Sequence, residues 1–185
     1  MSEPPPYHQI DTVFLDAGNT LVSIDFERVA AAMSAHGLAT TPEALRRAEA
    51  KARPRISRRA HERRSTEGED AFAASLSFVV EELGPGVQLD DGERLELGRR
   101  VSAQVREPGA SDRLWCWPLP GTEEALTRLT ALGLSLVGVS NTDGTVARGR
   151  ETVGLRRFFD GVIDSHEGGS EKPGAAIYQS ALEQA

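Results

Sequence analysis

The chain has 185 residues, a formal net charge of −7 and a sequence pI near 5.2. That length suits one domain, or a core with a modest insertion, and the acidity speaks against a nucleic-acid binder, because phosphate backbones reward basic surfaces. No apolar run approaches the roughly 20 residues of a membrane span, the start MSEPPPYHQID lacks the basic flank and apolar stretch of a secretory signal, and Cys116, the one cysteine, fits a reducing cytoplasm.

Residues 1–11 are polar and proline-rich and read as a loose leader. VFLDAGNTLV follows, from Val13 to Val22. A β-rich stretch at 12–17 runs into Asp16 and breaks at Gly18-Asn19, so a buried strand is expected to end on a bare carboxylate. From 25 to about 110 the character is helical. Thr41-Pro42-Glu43 has the form of an N-cap, a proline at the first helical position and an acid in the first turn. Phe72, Leu76, Val79, Val80 and Leu83 recur near helical period, and Gly84-Pro85-Gly86 separates them from a further helix over 90–106.

Beyond Trp115-Cys116-Trp117-Pro118 the rhythm becomes α/β. Thr122 is expected to cap a helix carrying Ala125, Leu126, Leu129 and Leu132, closed by Gly133. LSLVGVSN, 134–141, is a short apolar strand of the parallel-sheet kind, GVIDS, 161–165, is another, and a last helix starts at Gly174. There is no internal repeat. One strand, a helical insertion and then alternating β and α predict a Rossmann-like parallel sheet with a helical cap domain. The expected division is core at 12–24 and 112–185 and cap at 25–111.

Three polar clusters lie just past the predicted strands: Asp16 with Thr20, Ser140 with Asn141, and Lys172. In a parallel sheet the carboxyl ends of the strands share one edge, where ligands bind, so these distant residues can meet there. Carboxylate, hydroxyl and ammonium together suit phosphoryl chemistry: a nucleophile, an anion holder and a cation for the developing charge. Taken singly, each has a plain explanation. Asp16 could cap a turn, Ser140-Asn141 could be an ordinary loop, and Lys172 could be a surface lysine. Their order and position decide for function, and so does scarcity: of 21 basic residues only Lys51 and Lys172 are lysine.

FLDAGNTLV, VSNTDG and GSEKPGAAIY, in that order, resemble the motifs of the haloacid dehalogenase-like (HAD) hydrolase superfamily, and the insertion resembles its helical cap. The resemblance spans nearly the whole chain from about residue 12. It implies Asp16 as nucleophile, Thr20 supporting the first loop, Ser140 and the Asn141 backbone binding phosphate, and Lys172 orienting Asp16. It also implies Mg²⁺ held by Asp16 and the Gly18 carbonyl. The second aspartate usual in the family's phosphatases, which protonates the leaving group, is replaced by Gly18. The family's fourth, acidic motif would lie beyond Ala185, so the expected core is incomplete at its C-terminal end, with an uncovered strand edge open to self-association.

The implied activity is a Mg²⁺-dependent phosphatase acting on a small phosphate ester through an aspartyl-phosphate. The alternatives are a metal-independent 2-haloacid dehalogenase-type hydrolase acting on another small acid, and a non-catalytic homologue acting by binding. No nucleic-acid or membrane partner is expected. Residues 46–64 hold nine basic and two acidic side chains, read as a solvated helix face, with attraction of anionic substrates as the alternative. His36, His61 and His166 lack metal-ligand spacing. Asp143 and Glu167 are placed to stand in as metal ligands by location alone. Trp115 and Trp117 are expected to pack where the insertion rejoins the sheet.

Overall fold

The computed structural model describes residues 7–63, 69–107, 114–141, 154–165 and 169–184. The chain divides into two compact units, Met1–Ser23 with Cys116–Ala185, and Ile24–Trp115.

The first unit is built on a parallel sheet in the order β1-β4-β5, with β1 at Thr12–Leu15, β4 at Ser135–Ser140 and β5 at Gly161–Asp164. Thr12 pairs with Ser135 and Leu15 with Gly138, and on the other side of β4 Val137 pairs with Gly161 and Ser140 with Asp164. The apolar runs expected as buried strands are strands. β4, flanked on both sides, is almost wholly buried. β1 differs: all four of its residues are only half-buried, because among the described residues it is an edge strand. Asp160 ties the start of β4, its carboxylate accepting from Ser135 Oγ at 2.8 Å and from the Leu136 amide at 3.2 Å.

Two helices flank this sheet, α5 at Thr122–Ala131 and α6 at Ala175–Glu183. Ile177 and Ala181 of α6 join Val137, Val139 and Ile163 in the core, with Phe14 packed against it. Thr122 does not cap α5. The cap position is Gly121, in left-handed backbone (φ 82°), and Thr122 is already helical and buried. Its hydroxyl donates instead to the Leu21 carbonyl at 3.0 Å, 101 residues away in sequence.

The second unit is helical: α1 at Phe26–Ala35, α2 at Pro42–Arg63, α3 at Glu69–Glu81 and α4 at Asp91–Val105. Asp25 caps α1 through the Arg28 amide, and Thr41 caps α2 through Ala44, as the Thr-Pro-Glu pattern implies. Asp90 and Glu93 form a reciprocal capping box at the start of α4. Met33, Leu45, Leu76, Val80 and Val101 are fully buried in the shared core, which also takes Trp115. Two short strands, β2 at Val22–Ile24 and β3 at Trp115–Pro118, pair with each other in a separate sheet. Trp117 is 45% exposed, so of the two tryptophans only Trp115 packs into a core. No described helix is long and apolar enough to cross a membrane.

Most of the arginines of α2 that are described in detail have partners within the helical unit. Arg46 lies over Phe26, Arg53 pairs with Glu49, and Arg55 bonds Glu81 at 2.9 Å while stacking 4.5 Å from the Phe78 ring centroid. Arg59 lies over the same ring. Of these arginines Arg53 and Arg55 are ion-paired and Arg46, Arg55 and Arg59 lie over aromatic rings, all within the helical unit.

Candidate active site

Asp16 follows β1 directly, and the turn that carries it is closed tightly on one carbonyl. The amides of Thr20, Leu21 and Val22 all donate to Ala17 O, at 3.3, 2.9 and 3.1 Å, and Asn19 N–H donates back to Val22 O at 2.7 Å. Asn19 takes up left-handed backbone (φ 58°), which asparagine tolerates better than most residues. Ala17 is buried as the pivot, while the Asp16 side chain stays 44% exposed. A buried alanine under an exposed aspartate answers why a strand ends here on a carboxylate: the turn fixes the backbone and leaves the acid facing outward. Leu21 O anchors the far side of the turn, accepting from Leu119 N at 2.9 Å as well as from Thr122.

Lys172 meets Asp16. Its ammonium donates to Asp16 Oδ1 at 2.5 Å and to the Val139 carbonyl at 2.9 Å, which places it at the carboxyl edge of β1 and β4. Its side chain is 20% exposed, so this ion pair is held against the sheet edge rather than waving in solvent. Asn141 is tied to the same lysine: Asn141 Oδ1 accepts the Lys172 amide at 2.7 Å, and Asn141 Nδ2 donates to the Lys172 carbonyl at 3.0 Å. Ser140, the last residue of β4, is buried and stands beside Asp164 of β5.

Of the residues singled out in the sequence, Asp16, Asn141 and Lys172 are therefore brought into one hydrogen-bonded group, with Ser140 next to Asn141 on the same edge. Thr20 lies exposed on the turn, with its amide committed to Ala17. The Gly18 carbonyl takes no part in the bonds that close the turn. Asp143, His166 and Glu167 lie outside the described residues, as does the His61 side chain. His36 ends α1 and lines a cavity of about 480 Å³ with Leu38, Val87, Leu97 and Arg100. That cavity is built wholly from residues of the helical unit.

Two carboxylates escaped the sequence reading. Asp164 is a buried acid at the end of β5, hidden there as the polar end of an apolar run. Glu171 precedes Lys172, and its Oε2 is buried without a hydrogen-bond partner among the described residues. Among those residues no group of three or more His, Cys, Asp or Glu side chains gathers to hold a metal.

A parallel α/β core with a helical insertion after its first strand, and a carboxylate–lysine pair at the carboxyl edge, defines a hydrolase-type architecture. The family model for haloacid dehalogenase-like hydrolases matches residues 10–185, and the chain belongs to that family. A curated relative from Xenopus laevis, haloacid dehalogenase-like hydrolase domain-containing protein 3, is 37% identical over 67 residues, a match spanning 36% of this chain and 28% of the relative's length. Among solved structures, the HAD-hydrolase YfnB from Bacillus subtilis, bound to magnesium, aligns with 95% of this chain and 72% of its own at 17% identity and TM-score 0.55. The L-2-haloacid dehalogenase from Xanthobacter autotrophicus aligns with 95% of this chain and 64% of its own at 21% identity and TM-score 0.52. At those identities the structural likeness speaks for the fold alone.

Proposed function

We propose that the chain is a phosphatase acting on a small phosphate ester, with Asp16 as the nucleophile. The observation that carries this reading is the Lys172 ammonium on Asp16 Oδ1, held at the same time by the Val139 carbonyl. In the proposed reaction an Asp16 oxygen attacks phosphorus and the ester oxygen leaves with its bonding pair, forming an aspartyl-phosphate. Water then attacks that phosphorus, and the acyl phosphate's P–O bond breaks to release phosphate and the free carboxylate. Lys172 fixes the carboxylate for attack and balances charge on the transferring group, and Ser140 and the Asn141 backbone are proposed to hold the phosphate oxygens.

Mg²⁺ fits the residues present. Asp16 supplies a carboxylate and Gly18 a carbonyl that the turn leaves unused, a sparse donor set of the kind Mg²⁺ accepts when it retains waters and binds substrate phosphate. When bound, the ion would neutralise charge on that phosphate.

Gly18 has no side chain to protonate a leaving group, which favours substrates whose leaving oxygen needs no acid. The same glycine favours the second reading, a dehalogenase-type hydrolase in which Asp16 displaces halide from a 2-haloacid without metal. One panel separates them: p-nitrophenyl phosphate, an alkyl phosphate and 2-chloropropionate, each with and without Mg²⁺, on the wild type and Asp16→Asn. The phosphatase reading expects Mg²⁺-dependent release of p-nitrophenol far faster than alkyl phosphate hydrolysis. It also expects Asp16→Asn to lose roughly a thousandfold or more at unchanged melting temperature. Halide release without metal, with inert phosphates, transfers the assignment to the dehalogenase. Near-normal turnover by Asp16→Asn removes Asp16 as nucleophile under either reading.

A further inference from the structure

Asn141 drew notice in the sequence for its main chain, as a phosphate contact. Its side chain does something else. One planar amide grips both main-chain groups of a single residue 31 positions away, taking the N–H of Lys172 at 2.7 Å and giving to its C=O at 3.0 Å. The arrangement has the donor–acceptor pattern of a strand ladder, but it is supplied by a side chain at the end of β4. Asparagine and glutamine carry donor and acceptor side by side on one planar amide, and asparagine is the shorter.

A lysine needs such a fixture. Its four-carbon stem carries about 2 kcal/mol of rotamer entropy, and it sits inside the turn Glu171–Gly174, which Gly174 N–H closes on Glu171 O at 2.8 Å. Its ammonium must nevertheless hold two acceptors from two different strands' ends, Asp16 Oδ1 and Val139 O. Asn141 follows Val139 by two residues, so the amide that grips the lysine's backbone and the carbonyl that receives its ammonium belong to one short segment at the end of β4. The two ends of Lys172 are thereby referred to the same piece of β4. We infer that Asn141 is a positioning residue: its side chain sets the backbone of Lys172 so that the ammonium lies on Asp16. This deepens the reading of Lys172 as the partner of a nucleophilic Asp16, and rests on it.

The chain offers an internal gauge, because Lys51, exposed on α2, is its one other lysine. Competitive acetylation of the folded protein, read peptide by peptide in a mass spectrometer, gives the reactivity of Lys172 relative to Lys51 without reference to catalysis. In the wild type the ratio should be well below one. Asn141→Ala removes both bonds and Asn141→Asp, nearly isosteric, keeps the acceptor and loses the donor. Each should raise the ratio, Asn141→Ala by roughly tenfold, as two hydrogen bonds of ordinary strength imply. If either variant is folded with an unchanged ratio, the inference is overturned. If both variants unfold, Asn141 holds the fold rather than the lysine, and the inference is overturned in that case too.

A second arm uses p-nitrophenyl phosphate. Asn141→Ala should lower kcat with a smaller change in KM, and should add nothing in a Lys172→Met background. Additive losses there place Asn141 on the substrate instead. A chain without phosphatase activity in any form, but with the raised acetylation ratio, removes the phosphatase reading and leaves the positioning role standing.

Discussion

Of the described glycines of the helical unit Gly98 has the least room, and replacing it tests how firmly α3 and α4 are set against each other. A Cβ at this position would lie 2.3 Å from the carbonyl oxygen of Ala73 and 3.2 Å from its carbonyl carbon, where ordinary contact begins near 3.4 Å. The obstacle is the backbone of α3, so no rotamer change relieves it, and the helices must part by about 1 Å. Overpacking of this kind costs about 1–3 kcal/mol. Against it stands the gain of about 1 kcal/mol from replacing a mid-helix glycine by alanine. Because the overlap exceeds 1 Å and falls on main chain, the upper part of the overpacking range applies, and Gly98→Ala should be destabilised by about 1–2 kcal/mol. For a chain of this size that lowers Tm by roughly 2–8 °C, measurable by circular dichroism at the helix band and by urea titration. Gly86→Ala is the control: a Cβ there meets nothing within 4 Å, so its Tm should hold or rise slightly. A Gly98→Ala protein as stable as the wild type would refute the reasoning, and would mean that α3 and α4 slide apart at negligible cost.

Thr122→Val removes the hydroxyl that ties α5 to the turn after Asp16, with the side-chain shape kept. Leu21 O retains the Leu119 amide, so no acceptor is orphaned, and the expected loss is about 1 kcal/mol by urea denaturation; a loss above 3 kcal/mol would show that the Thr122 bond closes the turn alone. The Arg55–Glu81 pair gives a pH test. The hydrogen bond from Arg55 holds the Glu81 carboxyl below its usual range, so the pair's contribution is full above the unfolded carboxylate pKa and is lost as pH falls through the lower, folded one. Both side chains are about 40% exposed, so Glu81→Gln should cost at most about 0.5 kcal/mol near neutral pH and nothing in strong acid or high salt. A cost that persists at acid pH would refute an electrostatic origin.

The parts of the fold that were legible in the sequence are those whose signal is local. β4 and β5 are unbroken apolar runs because both are buried in a parallel sheet, and α3 and α4 show a helical repeat because each has one face in the core. The short β2–β3 ladder had no such mark. Its strands are three and four residues long and nearly a hundred apart, and the Trp-Cys-Trp-Pro stretch reads equally as packing. Thr122 misled for a different reason. A threonine after proline-glycine and before two glutamates has every local property of an N-cap. Its hydroxyl is claimed instead by a carbonyl more than a hundred residues away, and Gly121, free to take a positive φ, assumes the cap position without a side chain.

The candidate site divides along the same line. That Asp16, Ser140 and Lys172 reach one edge follows from topology: each stands at the end of a strand or beyond it, and parallel strands end together. Which atoms meet is a separate matter, set by turns that carry no periodic signal. Asn141 shows the difference. A serine–asparagine pair past a strand suggests two groups facing an anion, yet the asparagine side chain also gives one hydrogen bond to, and takes one from, the Lys172 main chain. It follows that position 141 is constrained by the lysine's turn as well as by any ligand. Replacements that preserve an anion-facing main chain but not a planar amide should therefore disturb Asp16 without touching it. A site of this kind is a set of backbone positions held by side chains, and the residue types at its centre reveal the chemistry before they reveal the fixture that aims it.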